Sequence, residues 1–401
     1  MSFDPAKQSL RGRSSVETRS AILDLIRSTG AITRVELSRR AGLTEATISK
    51  IVTELMASGL IVSSGQAEST GGKPATFLRL DTSKLGALGV VLDLPQIAIV
   101  LCAIDGSVIG SNTVHATRDD PPESVLAWVA TAIEKLIRDH GMTPGRIIGL
   151  GVALSGRRGY RGTQPLDWWE ELPIADQLHS LTGIDVLLEN DANCAALNEF
   201  WSGGIPAGRD FAVIYAAEGI GAGIVIDGDV YRGSSSHAGE IGHVYVDRND
   251  ALCWCGRRGC LEVSGTPQAV AHRALEIPEL VADLALSPRD SARTVFSAVA
   301  VSAAAGNGPA LALISDAARL LSTAIVGLAN TLDIDLVILA GPGFAHAGSI
   351  YLDTVRSAVD DTYTHSVHQV EVALRSVDPN IAALGAASLV LHRRLTPHHT
   401  A

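Results

Sequence analysis

Apolar residues recur with helical spacing over the first sixty positions. From Val16 to Thr29, the positions Val16, Ala21, Ile22, Leu25 and Ile26 share one helical face, and Gly30 ends the run. Thr33 caps a second, short helix. Glu36 stands three residues on in the capping-box position, with Leu37 and Ala41 turned inward. Gly42 permits a tight turn. Thr44 then caps a third helix, Glu45–Ser58, whose Ile48, Ile51, Val52 and Leu55 form one stripe. Leu60–Ser63 and Thr76–Leu80 read as strands on either side of the polar, glycine-rich loop Ser64–Gly72. Three helices followed by a hairpin predict a winged helix-turn-helix.

From Leu88 the pattern changes to short apolar runs separated by amphipathic helices. Leu88–Leu92, Ile97–Ala103 and Val108–Ser111 predict three strands joined by tight turns, followed by the helix Val125–Asp139 and the strand Ile147–Val152. Val186–Glu189 predicts another strand, with a helix beginning near Ala192. Phe211–Ala216, Gly221–Ile226 and the segment around Val230 repeat the three-strand opening, and Leu336–Leu339 is a late buried strand. Two such sets predict a pair of α/β lobes facing a cleft, with ligands at strand ends and between the lobes.

The chain has 401 residues, 46% hydrophobic and 19% charged, which leaves room for two or three cored units and argues against wholesale disorder. No apolar run approaches the ~20 residues of a membrane helix. Met1–Leu10 lacks the apolar core of a signal peptide, so the expected location is the cytoplasm, with no membrane partner. The net charge of −11 is unevenly spread: residues 1–80 hold eleven Lys/Arg against seven Asp/Glu, while the remainder is strongly acidic. A basic head on an acidic body justifies a search for DNA contacts. Thr44, Thr47, Ser49 and Lys50 lie near the start of the third helix, where a recognition helix meets base edges. Lys73 and Arg79 belong to the wing; Arg11 and Arg13 precede the first helix and suit the DNA backbone or a minor groove. A three-helix protein–protein module with solvated charges is the alternative.

Glu189-Asn190-Asp191-Ala192-Asn193 follows a strand and opens a helix. Asn190 and Asp191 offer an amide and a carboxylate for adjacent sugar hydroxyls, and such a carboxylate can also deprotonate a hydroxyl for phosphoryl transfer. Helix capping is the structural alternative for Asp191. Of five cysteines, Cys253, Cys255 and Cys260 are clustered, and with His243 they make the Cys3His set of a closed structural zinc site, one ion per chain. Glu240 and Glu262 flank this cluster and can accept hydrogen bonds from a polyol.

These motifs together, Glu-Asn-Asp-Ala-Asn, Ala-Gly-Glu-Ile-Gly-His and Cys-Trp-Cys-Gly-Arg-Arg-Gly-Cys-Leu-Glu, resemble the ROK family of repressors, open reading frames and sugar kinases. The resemblance covers about three-quarters of the chain, from about Leu88 to Gly385-Ala386-Ala387. It implies an α/β, two-lobed, actin-like and sugar-kinase-type fold, with a winged helix added in the repressor branch. The implied division is a winged helix over 1–80, a linker over 81–87 and a sugar-sensing domain over 88–401, with one lobe of about 88–188 and 381–401 and the other of about 189–380. Asn190, Asp191, Glu240, His243 and Glu262 match the family's sugar contacts, and His243, Cys253, Cys255 and Cys260 its zinc ligands. Gly156 and Arg157 fall more loosely in the first sugar loop, with Thr163 near it. Trp168 and Trp169 suit either stacking on a pyranose or the core.

Kinases of the family hold ATP phosphates with two glycine/threonine turns. The first typically reads Asp-Ile-Gly-Gly-Thr, but here it is Asp93-Leu94-Pro95-Gln96-Ile97, and proline removes a backbone donor. The second is Ala217-Glu218-Gly219-Ile220-Gly221, where Glu218 would repel polyphosphate. At an adenosine-side Gly-Gly pair stands Gly341-Pro342-Gly343. The resemblance thus implies no enzyme but a sugar-responsive regulator, a repressor of carbohydrate-use genes acting as a homodimer or homotetramer on operator DNA. The alternatives are a zinc-containing, ATP-dependent sugar kinase and a zinc-stabilised interaction protein.

Overall fold

The structure, a computed structural model, describes residues 14–66, 75–155, 172–206, 208–249, 251–362 and 369–396. Arg11, Arg13, Lys73, Gly156, Arg157, Thr163, Trp168 and Trp169 lie outside them.

The head contains helices Ser15–Thr29, Arg34–Ala41 and Glu45–Ala57 and strands β1 (Ile32–Thr33), β2 (Ile61–Gln66) and β3 (Thr76–Leu80). The strands form an antiparallel sheet in the order β1-β3-β2, so the expected wing is present and a two-residue strand joins it. The capping box is not where the spacing placed it. It closes the first helix: Ser14 Oγ accepts the Glu17 N–H, and Glu17 Oε2 accepts the Ser14 N–H at 2.7 Å. Thr33 does cap the second helix, accepting the Glu36 N–H at 3.3 Å. The Glu36 carboxylate instead takes bonds from Arg39 and Arg40 at 2.6–2.8 Å, because charge-assisted donors compete well against a backbone N–H. Arg39, and after it Arg40, hold that carboxyl down at about 2.

The body has two five-stranded sheets of one design. The first comprises β4 (Gly86–Leu92), β5 (Gln96–Ala103), β6 (Val108–His115), β7 (Ile147–Leu154) and β8 (Val186–Asn190), ordered β6-β5-β4-β7-β8. The second comprises β9 (Phe211–Ala216), β10 (Ile220–Ile226), β11 (Asp229–Val230), β12 (Leu336–Ala340) and β13 (Glu371–Leu374), ordered β11-β10-β9-β12-β13. In each, three antiparallel strands continue into two parallel ones. The sheet begins at Gly86, two residues before the expected start, and the preceding turn is tied down. Buried Asp81 accepts bonds from the Ser83 N–H and Oγ, with Lys84 Nζ 3.3 Å away.

Two helices hold the lobes together. Helix Ile381–Leu395 lies so close to β4 and β7 that a Cβ at Gly89 or Gly151 would sit 1.9 or 1.8 Å from the carbonyl oxygens of Ala383 and Ala386. Helix Asp191–Ser202 packs against that helix on one side and against β9 and β10 on the other. It therefore touches both halves of the body.

One expectation needs correction. Helix Gly308–Leu332, at 25 residues, is long and apolar enough by composition to cross a membrane, although no such run was expected from the sequence. Ala317, Ala318, Leu321 and Ile325 on its apolar face are buried in the second lobe's core, which identifies a core helix.

Candidate functional site

The cleft's carboxylate side begins where β8 meets helix Asp191–Ser202. The cap there is Asn190: its Oδ1 accepts the N–H groups of Ala192 and Asn193 at 3.0 and 3.3 Å. Asp191 is the first helical residue and takes bonds from Ser155 Oγ and the Ala192 N–H, both at 2.8 Å. The burial of Asp191, opposed by those bonds and reinforced by the nearby Asp93 and Glu240 carboxylates, pushes its carboxyl up to about 6. Burial and then Glu240 push Glu262 up to about 7, against a bond from the Ile220 N–H. The structure thus places Glu240 where it acts on both Asp191 and Glu262.

Glu262 owes its place to two glycines. A Cβ at Gly242 would lie 2.6 Å from its Oε2, and one at Gly219 would lie 3.0 Å from its Oε1. Gly219 belongs to the turn that sequence comparison assigned to phosphate, so that turn also shapes the carboxylate site. Beside it, Glu189 takes Arg232 Nε at 2.8 Å and Asn193 Nδ2 at 3.0 Å, a framework that motif reading did not single out.

Donor atoms of His243, Cys253, Cys255 and Cys260 all lie within 4.8 Å of one another. Cys253 Sγ is 3.7 Å from His243 Nδ1, and Cys255 Sγ is 3.7 Å from Cys260 Sγ. Zn–S bonds of about 2.3 Å at tetrahedral angles imply S···S edges of roughly 3.8 Å, so the donor set fits such an ion. Gly256 and Gly259, at φ +85° and +72°, wrap the chain around this cluster, and a Cβ at Gly259 would strike the Tyr245 ring at 2.3 Å. His243 Nε2 lies 3.7 Å from Glu240 Oε2, so one imidazole faces the thiols with one nitrogen and the carboxylate side with the other. Cys102 and Cys194 are buried apart from this cluster, and burial holds both thiols above the ordinary range.

The opposite side of the cleft is filled differently. Asp93, just past β4, pairs with Arg293 at 2.8 Å, and Arg293 opens the second-lobe helix Ala292–Ala304. Asp93 and Glu218, one from each altered turn, both act on this guanidinium. Gly341, at φ +103°, serves packing: a Cβ there would be 2.5 Å from the Ala216 carbonyl oxygen.

In the head, Thr44 caps the third helix, accepting the Thr47 N–H at 3.3 Å, and the two hydroxyls are 2.9 Å apart. Thr44, Thr47, Ser49 and Lys50 are all exposed. Ile48, Ile51, Val52 and Leu55 are buried beneath them, which fixes which face the helix presents. Arg39 and Arg40, clamped by Glu36, add exposed cations that sequence reading passed over.

Together these features define a class: a winged helix carried by a two-lobed, sugar-kinase-like body. The ROK family profile matches residues 89–393, and a winged helix-turn-helix DNA-binding profile matches residues 17–62. The chain belongs to the ROK family. It is 25% identical to a xylose repressor of Caldicellulosiruptor bescii over 94% of this chain and 95% of that one. It is 31% identical to a glucokinase of Thermotoga maritima over 77% of this chain and 98% of that one. Its fold is similar to that of a solved ROK family transcriptional regulator, a homologue of the E. coli MLC protein. That TM-score is 0.73, at 24% identity, with 95% of this chain and 97% of that one covered.

Proposed function

We propose that the protein is a sugar-responsive, DNA-binding transcriptional regulator, a repressor of carbohydrate-use genes acting in the cytoplasm. The observation that carries this reading is a division within one cleft. Desolvated carboxylates gather where a sugar's hydroxyls would bind, while Asp93 and Arg293 neutralise each other beside the turns where kinases hold phosphate. Full-length similarity to a xylose repressor supports it.

In this reading Thr44, Thr47, Ser49 and Lys50 meet the major groove, while Arg11, Arg13 and Lys73 meet the DNA backbone or minor groove. Asn190, Asp191, Glu240, His243 and Glu262 hold the sugar, with Gly156 and Arg157 as further contacts. His243, Cys253, Cys255 and Cys260 would hold a zinc ion, which supplies cross-linking of this loop and no chemistry. A homodimer or homotetramer sets two heads on a two-fold operator. Sugar shifts operator occupancy only through a difference in affinity between two closure states.

The test is an operator selected by the protein from random duplexes, followed by anisotropy across a salt series and a panel of neutral and amino sugars. The expectation is salt-dependent binding altered by at least one sugar; no DNA complex near physiological salt would sink the reading. A second reading, an ATP-dependent sugar kinase, is favoured by the glucokinase likeness and by the presence of Asp191 at the head of its helix. It requires ATP turnover with a hexose that disappears in Asp191→Asn.

A further inference from the structure

The head does not hang from its linker alone. Arg27, near the end of the head's first helix, is almost entirely buried against the body, with its side chain 2% exposed. Its Nη1 donates to the carbonyl oxygens of Phe200 and Trp201 at 2.5 and 2.6 Å, and its Nη2 donates to that of Ile205 at 3.2 Å. The guanidinium also lies over the rings of Phe200 and Trp201, 4.5 and 5.1 Å from their centroids. Asp24, one turn earlier and itself buried, takes its remaining donors at 2.7 and 2.9 Å.

Phe200 and Trp201 form the last turn of helix Asp191–Ser202. A helix leaves its final carbonyls without intrahelical partners and carries partial negative charge there, so a buried cation suits this end. The other end of the same helix is the cleft: Asn190 caps it and Asp191 is its first residue. Twelve residues at 1.5 Å each span about 18 Å, so one helix covers the distance from the sugar carboxylates to the head.

This helix is held along its length rather than left to bend. A Cβ at Gly385 would be 1.8 Å from the Cys194 carbonyl oxygen, and one at Gly223 would be 2.2 Å from that of Ala192. Trp201 Nε1 donates to the Ile104 carbonyl oxygen at 3.0 Å. His392, bonded to Asp229 at 2.8 Å, packs edge-on against Phe200 and Trp201. Apolar core runs unbroken from Ile22 and Ile26 of the head to Phe200 and Trp201 of the body.

We propose that helix Asp191–Ser202 is the lever by which the cleft acts on the DNA-binding head, and that Arg27 is its joint to the head. Arg27 is a positioning residue: its partners are Asp24 and the Phe200, Trp201 and Ile205 carbonyls, away from the cleft. The inference deepens the regulator reading, but its test needs neither a sugar nor an operator. The rival route runs through the backbone, from β3 through the Asp81 turn into β4.

The cleft is perturbed by Arg293→Glu, which sets a carboxylate against Asp93 and Glu218 yet suits the start of helix Ala292–Ala304. Amide hydrogen exchange is then read over residues 15–29 and 200–205 of the full chain, alone and combined with Arg27→Gln. The expected result is a change of at least threefold in residues 15–29 on Arg293→Glu that vanishes when Arg27 is absent. An unchanged head in the single variant overturns the proposal. The same change with and without Arg27 also overturns it and assigns the coupling to the Asp81 turn. Should Arg27→Gln unfold the head, seen as lost protection throughout residues 15–57, Arg27→Lys serves instead. It keeps the charge but cannot span three carbonyls and Asp24, and the response must fall by at least half.

Discussion

The two sides of the interlobe cleft are built on opposite principles. On the carboxylate side, Asp191 and Glu262 are held above the ordinary carboxylate range by burial and by their acidic neighbours. That arrangement raises the free energy of the charged groups until donors arrive. On the other side, Asp93 meets Arg293, with Glu218 acting on the same guanidinium, so opposite charges are already matched within the chain. One side gathers carboxylates, Asp191 and Glu262, that lack a cationic partner of this kind among the described residues; the other pairs its carboxylates with a guanidinium.

The strongest way to break this comparison is to remove what shapes the carboxylate side. Cys255→Ser should reduce metal content from about one equivalent to near none and lower stability by several kcal/mol, read by metal analysis and thermal unfolding. Sugar affinity should fall with it, because the loop that ends in Glu262 is then unfastened.

Asp191→Asn should weaken sugar binding about 100-fold, roughly 2–3 kcal/mol, by leaving hydroxyl donors without a charged acceptor. Calorimetry with whichever sugar the panel selects measures it, and a loss below threefold would place the sugar elsewhere. The same residue gives a pH signature in the sugar-free protein. Its carboxyl titrates near 6 when folded and near the usual ~3.9 when unfolded, so between these values the folded state holds the extra proton. Stability should decline as pH rises from about 4 to 6, by on the order of 2 kcal/mol, and Asp191→Asn should flatten that limb.

Asp93→Asn should have the smallest effect, below about 1 kcal/mol, since its ion pair is partly exposed to solvent. It should confer no ATP binding, and any nucleotide-dependent thermal shift would contradict the idea that this side has lost phosphate.

Much of this was legible in the sequence. The spacing of Ile48, Ile51, Val52 and Leu55 determined the third head helix and hence its exposed Thr47, Ser49 and Lys50, because a helical period leaves one face for the core. Three cysteines and a histidine with glycines between them specified a cluster, since this donor set at this spacing matches a tetrahedral metal site. Asn190 and Asp191 were visible as a pair at a strand end, but not which of them caps. That depended on where β8 stops, and backbone dihedrals set this, not residue type.

Other features had no local signal. Glu36 chose Arg39 and Arg40 over its own helix's first N–H because competing donors stood within reach. Asp93 and Arg293 are 200 residues apart, and Arg27 and Phe200 are 173 apart. No periodicity or motif connects such pairs, since their meeting depends on how sheets stack and helices cross. The sequence alone determined the elements, the Cys/His cluster and the head's presented face, because these follow from local period and chemistry. Only the tertiary structure decided which charges neutralise one another and which helix joins cleft to head, because burial and long-range contact exist only once the chain is packed.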